Sequence, residues 1–98
     1  VGRWNRRVDD NQPDIVKALR GCGCSVAITS NLGEGFPDIV VGICGKNYLI
    51  EIKNGDLPPS ARKLTDDERE FMQGWCGQYS IIESVGEAIK FVSAVRKL

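Results

Sequence analysis

The stretch from Asp38 to Lys53 constrains this chain more than any other. Asp38 to Cys44 is a near-continuous apolar run rich in β-branched residues, and Tyr48 to Lys53 is a second, with Leu49, Ile50 and Ile52 as its apolar members. Only Gly45, Lys46 and Asn47 separate them, and glycine with asparagine is turn chemistry, so the two runs predict a β-hairpin. With the turn at Gly45-Lys46, positions 38 and 51 lie almost equally far from it. Pairing brings them to the same end of the sheet.

Side chains two apart in a strand share a face, so Glu51 and Lys53 stand together with Ile52 on the opposite side. Two carboxylates, Asp38 and Glu51, at one end of a sheet repel each other unless a divalent cation lies between them. Mg²⁺ or Mn²⁺ takes oxygen ligands, keeps several waters, polarises a phosphodiester and helps ionise an attacking water. A lysine at 53 would contact that water or the scissile phosphate, where negative charge grows in the transition state. Glu-x-Lys alone is most often the exposed face of an edge strand. It gains weight here because Pro37-Asp38 precedes it at hairpin distance, after a glycine-rich loop.

The rest of the chain supplies the frame. Ile15, Val16, Ala18 and Leu19 follow helical spacing from Asp14, with Asp9, Asp10 or Asn11 as N-cap and Pro13 in the first turn, and Gly21 and Gly23 stop the helix. Ser25 to Thr29 is β-prone and leads into a loop, Asn31 to Gly35. Asn54 to Lys63 holds Gly55, Pro58 and Pro59 and predicts irregular chain. Thr65 and Glu68 have capping-box spacing for a helix through Phe71, Met72 and Trp75 to Gly77. Tyr79 to Ile82 reads as a strand, and Ser84 caps a last amphipathic helix through Ala88, Ile89, Val92 and Val95. The order αβββαβα predicts an α/β domain with one mixed sheet flanked by helices.

At 98 residues the chain is one domain. Lys and Arg number 13 and Asp and Glu 13, so no net field attracts a polyanion. Local clusters matter more: Arg3, Arg6 and Arg7 near the N-terminus, and Arg62 and Lys63 beside Lys53. Cys22, Cys24, Cys44 and Cys76 form no C-x-x-C pair, and with no histidine a zinc site would need all four. Cys44 and Cys76 lie in apolar stretches, where free cysteine acts as a small hydrophobe. A reduced, cytoplasmic protein is expected. No apolar run approaches the roughly 20 residues of a membrane span, and no signal-peptide pattern opens the chain.

Pro37-Asp38 followed by Glu51-Ile52-Lys53, in this order of elements, resembles the PD-(D/E)xK nucleases. Gly35 to Gly42, then Leu49 to Lys53, then Leu64-Thr65, look more narrowly like the virus-type replication-repair (VRR-NUC) branch, over nearly the whole chain from Asp10 to about Ala88. The resemblance implies a restriction-endonuclease-like αβββαβ core with an added C-terminal helix. It also implies a homodimer encoded by a phage or prophage, acting in DNA repair on branched DNA such as Holliday junctions. Asp38, Glu51 and the Ile52 carbonyl would be the metal ligands and Lys53 the catalytic lysine. Archaeal resolvases place a glutamate on the first helix where this chain has Gln12, which offers a carbonyl oxygen but no charge. Asp10, Asn11 or Asp14 are substitutes. Glu68 stands where a glutamine is common in this branch, either facing the metal or closing the capping box with Thr65.

A junction presents phosphates over a wide surface, which makes Arg62 and Lys63, with Ser60 in the same loop, the preferred DNA contacts, and Arg6 and Arg7 with Arg3 further ones. Gly33 and Gly35 either admit a DNA backbone or simply shape a turn. Phe71, Met72 and Trp75 form a stripe that predicts core or dimer contact, whereas Trp4 among arginines would anchor the arm to a partner subunit or stack on a base. Other readings are a flap or restriction-type nuclease, the latter disfavoured by the lack of a groove-reading element, and a non-catalytic DNA-binding module.

Overall fold

The computed structural model describes residues 9–98, so Arg3, Trp4, Arg6 and Arg7 lie outside the described residues. In chain order the elements are α1 (Gln12–Gly21), β1 (Ser25–Ile28), β2 (Ile39–Ile43), β3 (Lys46–Ile52), a short 3-10 turn (Pro59–Ala61), α2 (Asp66–Gly74), β4 (Tyr79–Ile82) and α3 (Val85–Arg96). The expected order of helices and strands is therefore present.

The hairpin forms with its tip earlier than Gly45-Lys46. Cys44 and Gly45 both take positive φ, 55° and 77°, as a two-residue loop requires to match the twist of its strands. Lys46 and Asn47 are consequently the first residues of β3, paired with Ile43 and Gly42. Cys44 is exposed at this tip and Cys76 is exposed after α2, so neither acts as the small core hydrophobe expected; Cys24 does, and all four thiols are free.

The sheet runs β1-β2-β3-β4, antiparallel between the first three strands and parallel between β3 and β4. Parallel neighbours need a crossover, which the segment after Lys53 and α2 supply. One face of the sheet carries Ile39, Val41, Ile43, Ile50, Ile52 and Ile82, which form the core with Ile15, Val16 and Leu19 of α1 and Ala88, Val92 and Val95 of α3. Ile89, expected on the apolar side of α3, is 52% exposed. Phe91 packs there instead, edge-on to Tyr48 at 5.1 Å.

Caps fix the helix starts that matter. Ser84 accepts from the Glu87 backbone N–H. Asn11 precedes α1 without making a side-chain cap. Its amide instead donates to the carbonyls of Lys53 at 3.1 Å and Glu83 at 3.0 Å, tying α1 to the ends of β3 and β4. Helix α2 ends at Gly74, short of Gly77, because Trp75 has already turned to extended backbone. Among the described residues, no helix is long and apolar enough to cross a membrane.

Candidate active site

The face of β2 and β3 opposite the core holds the chemistry. Ile39 pairs with Ile50, so Asp38, one residue before β2, stands across from Glu51. The Ile52 backbone N–H donates to Asp38 Oδ2 at 2.8 Å, which fixes the aspartate at the strand end. Asp38 is 4% exposed and Glu51 1%. Lys53, on the same face, places its Nζ 2.7 Å from Glu68 Oε1 and 3.6 Å from Glu51 Oε2.

Glu68 closes the capping box and also lines the cleft. Its Oε1 accepts from the Thr65 N–H at 2.9 Å while Thr65 Oγ1 accepts from the Glu68 N–H, closing the capping box. The same Oε1 receives Lys53. What brings this helix start to the strand ends is Gly35, whose φ is +78° and where a Cβ would lie 2.2 Å from the Asp67 carbonyl oxygen. No side chain fits such an approach. Gly35 is thus committed to the first turn of α2.

Three buried carboxylates face one ammonium, and the proton affinities record the imbalance. Burial, then the charges of Asp38 and Glu68, then hydrogen bonds to both, push Glu51 up to about 9. Burial alone would raise Glu68, but the hydrogen bonds from Lys53 and Thr65 and the lysine's charge hold it below the usual carboxylate range. Burial would lower Lys53; its hydrogen bond to Glu68 and the charges of Glu68, Glu51 and Asp9 raise it instead. Asp9 is raised, mainly by burial. Lys53 is therefore held in its cationic form and Glu51 is biased toward its protonated one.

These groups line a cleft of about 450 Å³ together with Asp9, Gly33, Glu34, Gly35, Thr65 and Asp67. Asp38, Glu51, Lys53 and Glu68 are brought together in it. Gln12 is buried but borders a different groove, with Val16, Arg20 and Ile28. Its amide nitrogen reaches Ser30 Oγ at 3.3 Å, and its Oε1 is buried without a hydrogen-bond partner. Ile52 turns its side chain to the core, leaving only its backbone toward Asp38. Ser60 and Lys63 are exposed outside the cleft. Arg62 is engaged elsewhere: Nη1 pairs with Glu83 Oε1 at 2.9 Å and Nε donates to the Leu57 carbonyl. Arg6 and Arg7 lie outside the described residues.

Asp9 at the rim and Asn11 as the tie between α1, β3 and β4 escaped sequence reasoning, which had Asp9 only as a helix-start candidate and Asn11 as that or a substitute for Gln12. Nothing local distinguishes them. Of the two roles expected for Phe71, Met72 and Trp75, core or dimer contact, they do not fill the first: Phe71 and Met72 are half-buried and Trp75 is exposed, stacked on Phe71. The carboxylates of Asp38, Glu51 and Glu68 and the Ile52 carbonyl are hard oxygen donors, the kind Mg²⁺ and Mn²⁺ take. Among the described residues, no three His, Cys, Asp or Glu side chains are already set as a complete ligand group. Comparison of the chain with family models, curated proteins and solved structures yields no match.

Proposed function

We propose that this chain is a metal-dependent DNA endonuclease of the PD-(D/E)xK kind, with Asp38, Glu51 and Lys53 at its centre. One observation carries the reading: a lysine and two buried carboxylates, separate in sequence, meet at one end of a hairpin inside an open cleft. A stable fold has no need of such a cluster, because burying excess negative charge costs free energy. Perturbed groups of this kind, lining a cleft, are candidates for chemistry. On this reading α1 through β4 is a restriction-endonuclease-like core and α3 an addition to it.

The residues fit Mg²⁺ or Mn²⁺. All the donors are oxygens, and burial with the charges of Asp38 and Glu68 pushes Glu51 up to about 9, an excess of negative charge that a divalent cation would offset. Asp38, Glu51 and the Ile52 carbonyl would hold the ion, whereas Gln12 borders a different groove. Bound there, the ion would supply Lewis acidity to the phosphodiester. The chain's own part is electrostatic and positional. Lys53, kept charged by Glu68, sets a cation where charge accumulates on the scissile phosphate. Glu68, held by the capping box, orients that ammonium. Asp38, held by the Ile52 N–H, is fixed in the lining of the cleft.

Branched DNA and a homodimer rest on the family resemblance of the sequence and on symmetry, since two-fold pairing of active sites suits a junction with two strands to cut. The test is a panel of labelled four-way junction, flap and linear duplex incubated with Mn²⁺. Wild type should cut the branched substrates, and Asp38→Ala should be at least about a hundredfold slower. Binding by wild type without any cutting would leave a non-catalytic DNA-binding module. Sedimentation at micromolar concentration should give a dimer; a monomer would remove the paired-site model.

A further inference from the structure

Next to the cleft lies a second groove of about 570 Å³, lined by Glu34, Asp67, Glu70, Phe71, Gly74 and Trp75. Glu34 and Asp67 border both, so the two are continuous. Its wall is a stack of rings. Phe36, two residues before Asp38, meets Phe71 edge-on at 5.2 Å, and Phe71 lies nearly parallel to Trp75, with centroids 5.4 Å apart and planes at 17°. Trp75 is 42% exposed although a large ring gains most from burial. Gly77 passes close to the indole, where a Cβ would lie 2.8 Å from Nε1.

We propose that this groove is a subsite for one unpaired nucleobase of the DNA strand being cut, seated on the Phe71–Trp75 stack. The inference rests on the nuclease reading and names the substrate feature that reading leaves open. Three carboxylates repel a sugar-phosphate backbone, so the groove admits the neutral base while the phosphate stays over the cleft. Aromatic faces stack on any base. Glu34, Asp67 and Glu70 add selectivity, because carboxylates accept from exocyclic amino groups, which adenine, cytosine and guanine carry and thymine lacks. A base held in a duplex cannot reach the stack without unpairing. The substrate therefore offers an unpaired nucleotide beside the scissile phosphate. A cationic peptide side chain would also suit carboxylates and an indole; continuity with the cleft favours the base.

In a Trp4→Phe background Trp75 is the sole tryptophan, and Ca²⁺ in place of Mn²⁺ suppresses turnover. Short oligo-dA should quench its fluorescence saturably, oligo-dT should bind several-fold more weakly, and blunt duplex should leave it unchanged. By anisotropy of labelled oligo-dA, adding Trp75→Ala should weaken binding about tenfold, whereas Trp75→Phe, which keeps a stacking ring, should stay within about threefold. Melting curves confirm that each variant is folded. Quenching by oligo-arginine and by no oligonucleotide would assign the groove to a cationic partner and overturn the proposal. No quenching by either would overturn it too. A parallel cleavage assay with Trp4 intact separates the two failures: an active enzyme indifferent to Trp75→Ala loses the subsite and keeps the nuclease. An inactive one whose Trp75 is quenched by oligo-dA keeps the base site and loses the nuclease.

Discussion

The two faces of the β2–β3 hairpin are built from alternate residues of the same strands and oppose each other energetically. Ile39, Val41, Ile50 and Ile52 point into the helices α1 and α3 and are fully buried. Asp38, Glu51 and Lys53 occupy the other side and are almost as buried, but what they bury is charge. Apolar area removed from water stabilises by about 25 cal/mol per Å². A carboxylate removed from water destabilises unless it is paired or protonated. One face thus supplies the stability that the other consumes, and neighbouring residues should respond to mutation with opposite sign.

The largest test of that contrast sets Ile50 against Glu51. Ile50→Ala should lower unfolding free energy by about 2–5 kcal/mol, the range for a fully buried aliphatic residue. Glu51→Gln keeps the shape and removes the acid, so in metal-free protein at pH 7 it should raise stability by about 1–3 kcal/mol. Denaturant melts in EDTA give both numbers. A loss of stability in Glu51→Gln comparable to that in Ile50→Ala would mean that both faces act as ordinary core.

The contrast also has a pH signature. Glu51 is raised from its usual value of 4.5 to about 9, so the folded state takes up a proton that the unfolded chain has released. The stability it contributes is complete below pH 4.5 and is lost as pH rises through 9. Glu68, which is lowered, adds stability that disappears only in acid, and the raised Lys53 loses its contribution only in strong base. Between pH 5 and 8 Glu51 dominates, with Asp9, raised mainly by burial, acting in the same sense. Metal-free wild type should be weaker at pH 8 than at pH 5 by up to about 4 kcal/mol. Glu51→Gln should flatten the profile, and Mg²⁺ or Mn²⁺ should raise the melting temperature more at pH 8 than at pH 5. A flat wild-type profile in EDTA would refute the buried-acid account.

The parts of this arrangement legible in the sequence are those set by local periodicity. Alternation put Glu51 and Lys53 on one face, and near-equal distance from the turn put Asp38 opposite Glu51. Capping-box spacing marked the start of α2 at Thr65 and Glu68. Contacts between distant segments were not legible. Nothing near Gly35 in sequence indicates that it approaches Asp67, nor does Asn11 announce its bonds to the carbonyls of Lys53 and Glu83. Trp75 was legible only in part for a local reason: helical spacing assigned it to a stripe in core or dimer contact, but the helix ends at Gly74 and the indole stays out of the core. The hairpin tip moved for another. Cys44 tolerates the positive φ that sequence reasoning reserves for glycine or asparagine.

Arg62 gives the smallest effect and separates two roles that one residue type can serve. From sequence it is expected to contact phosphate, yet its guanidinium bonds Glu83 and the Leu57 carbonyl and so fastens the segment after Lys53 to the end of β4. Both side chains of that ion pair are about a quarter exposed, at 28% and 24%, so solvent screens it and Arg62→Ala should cost no more than about 1 kcal/mol. A phosphate contact would reduce the slope of log binding constant against log salt by about one when removed. The clamp predicts an unchanged slope and a lower melting temperature. Exposed Lys63 should behave in the opposite way, with Lys63→Ala reducing the slope by about one and leaving the melt unchanged. If Arg62→Ala also flattened the salt dependence, the guanidinium would have to leave Glu83 to reach DNA, and binding would be coupled to release of the loop that follows β3.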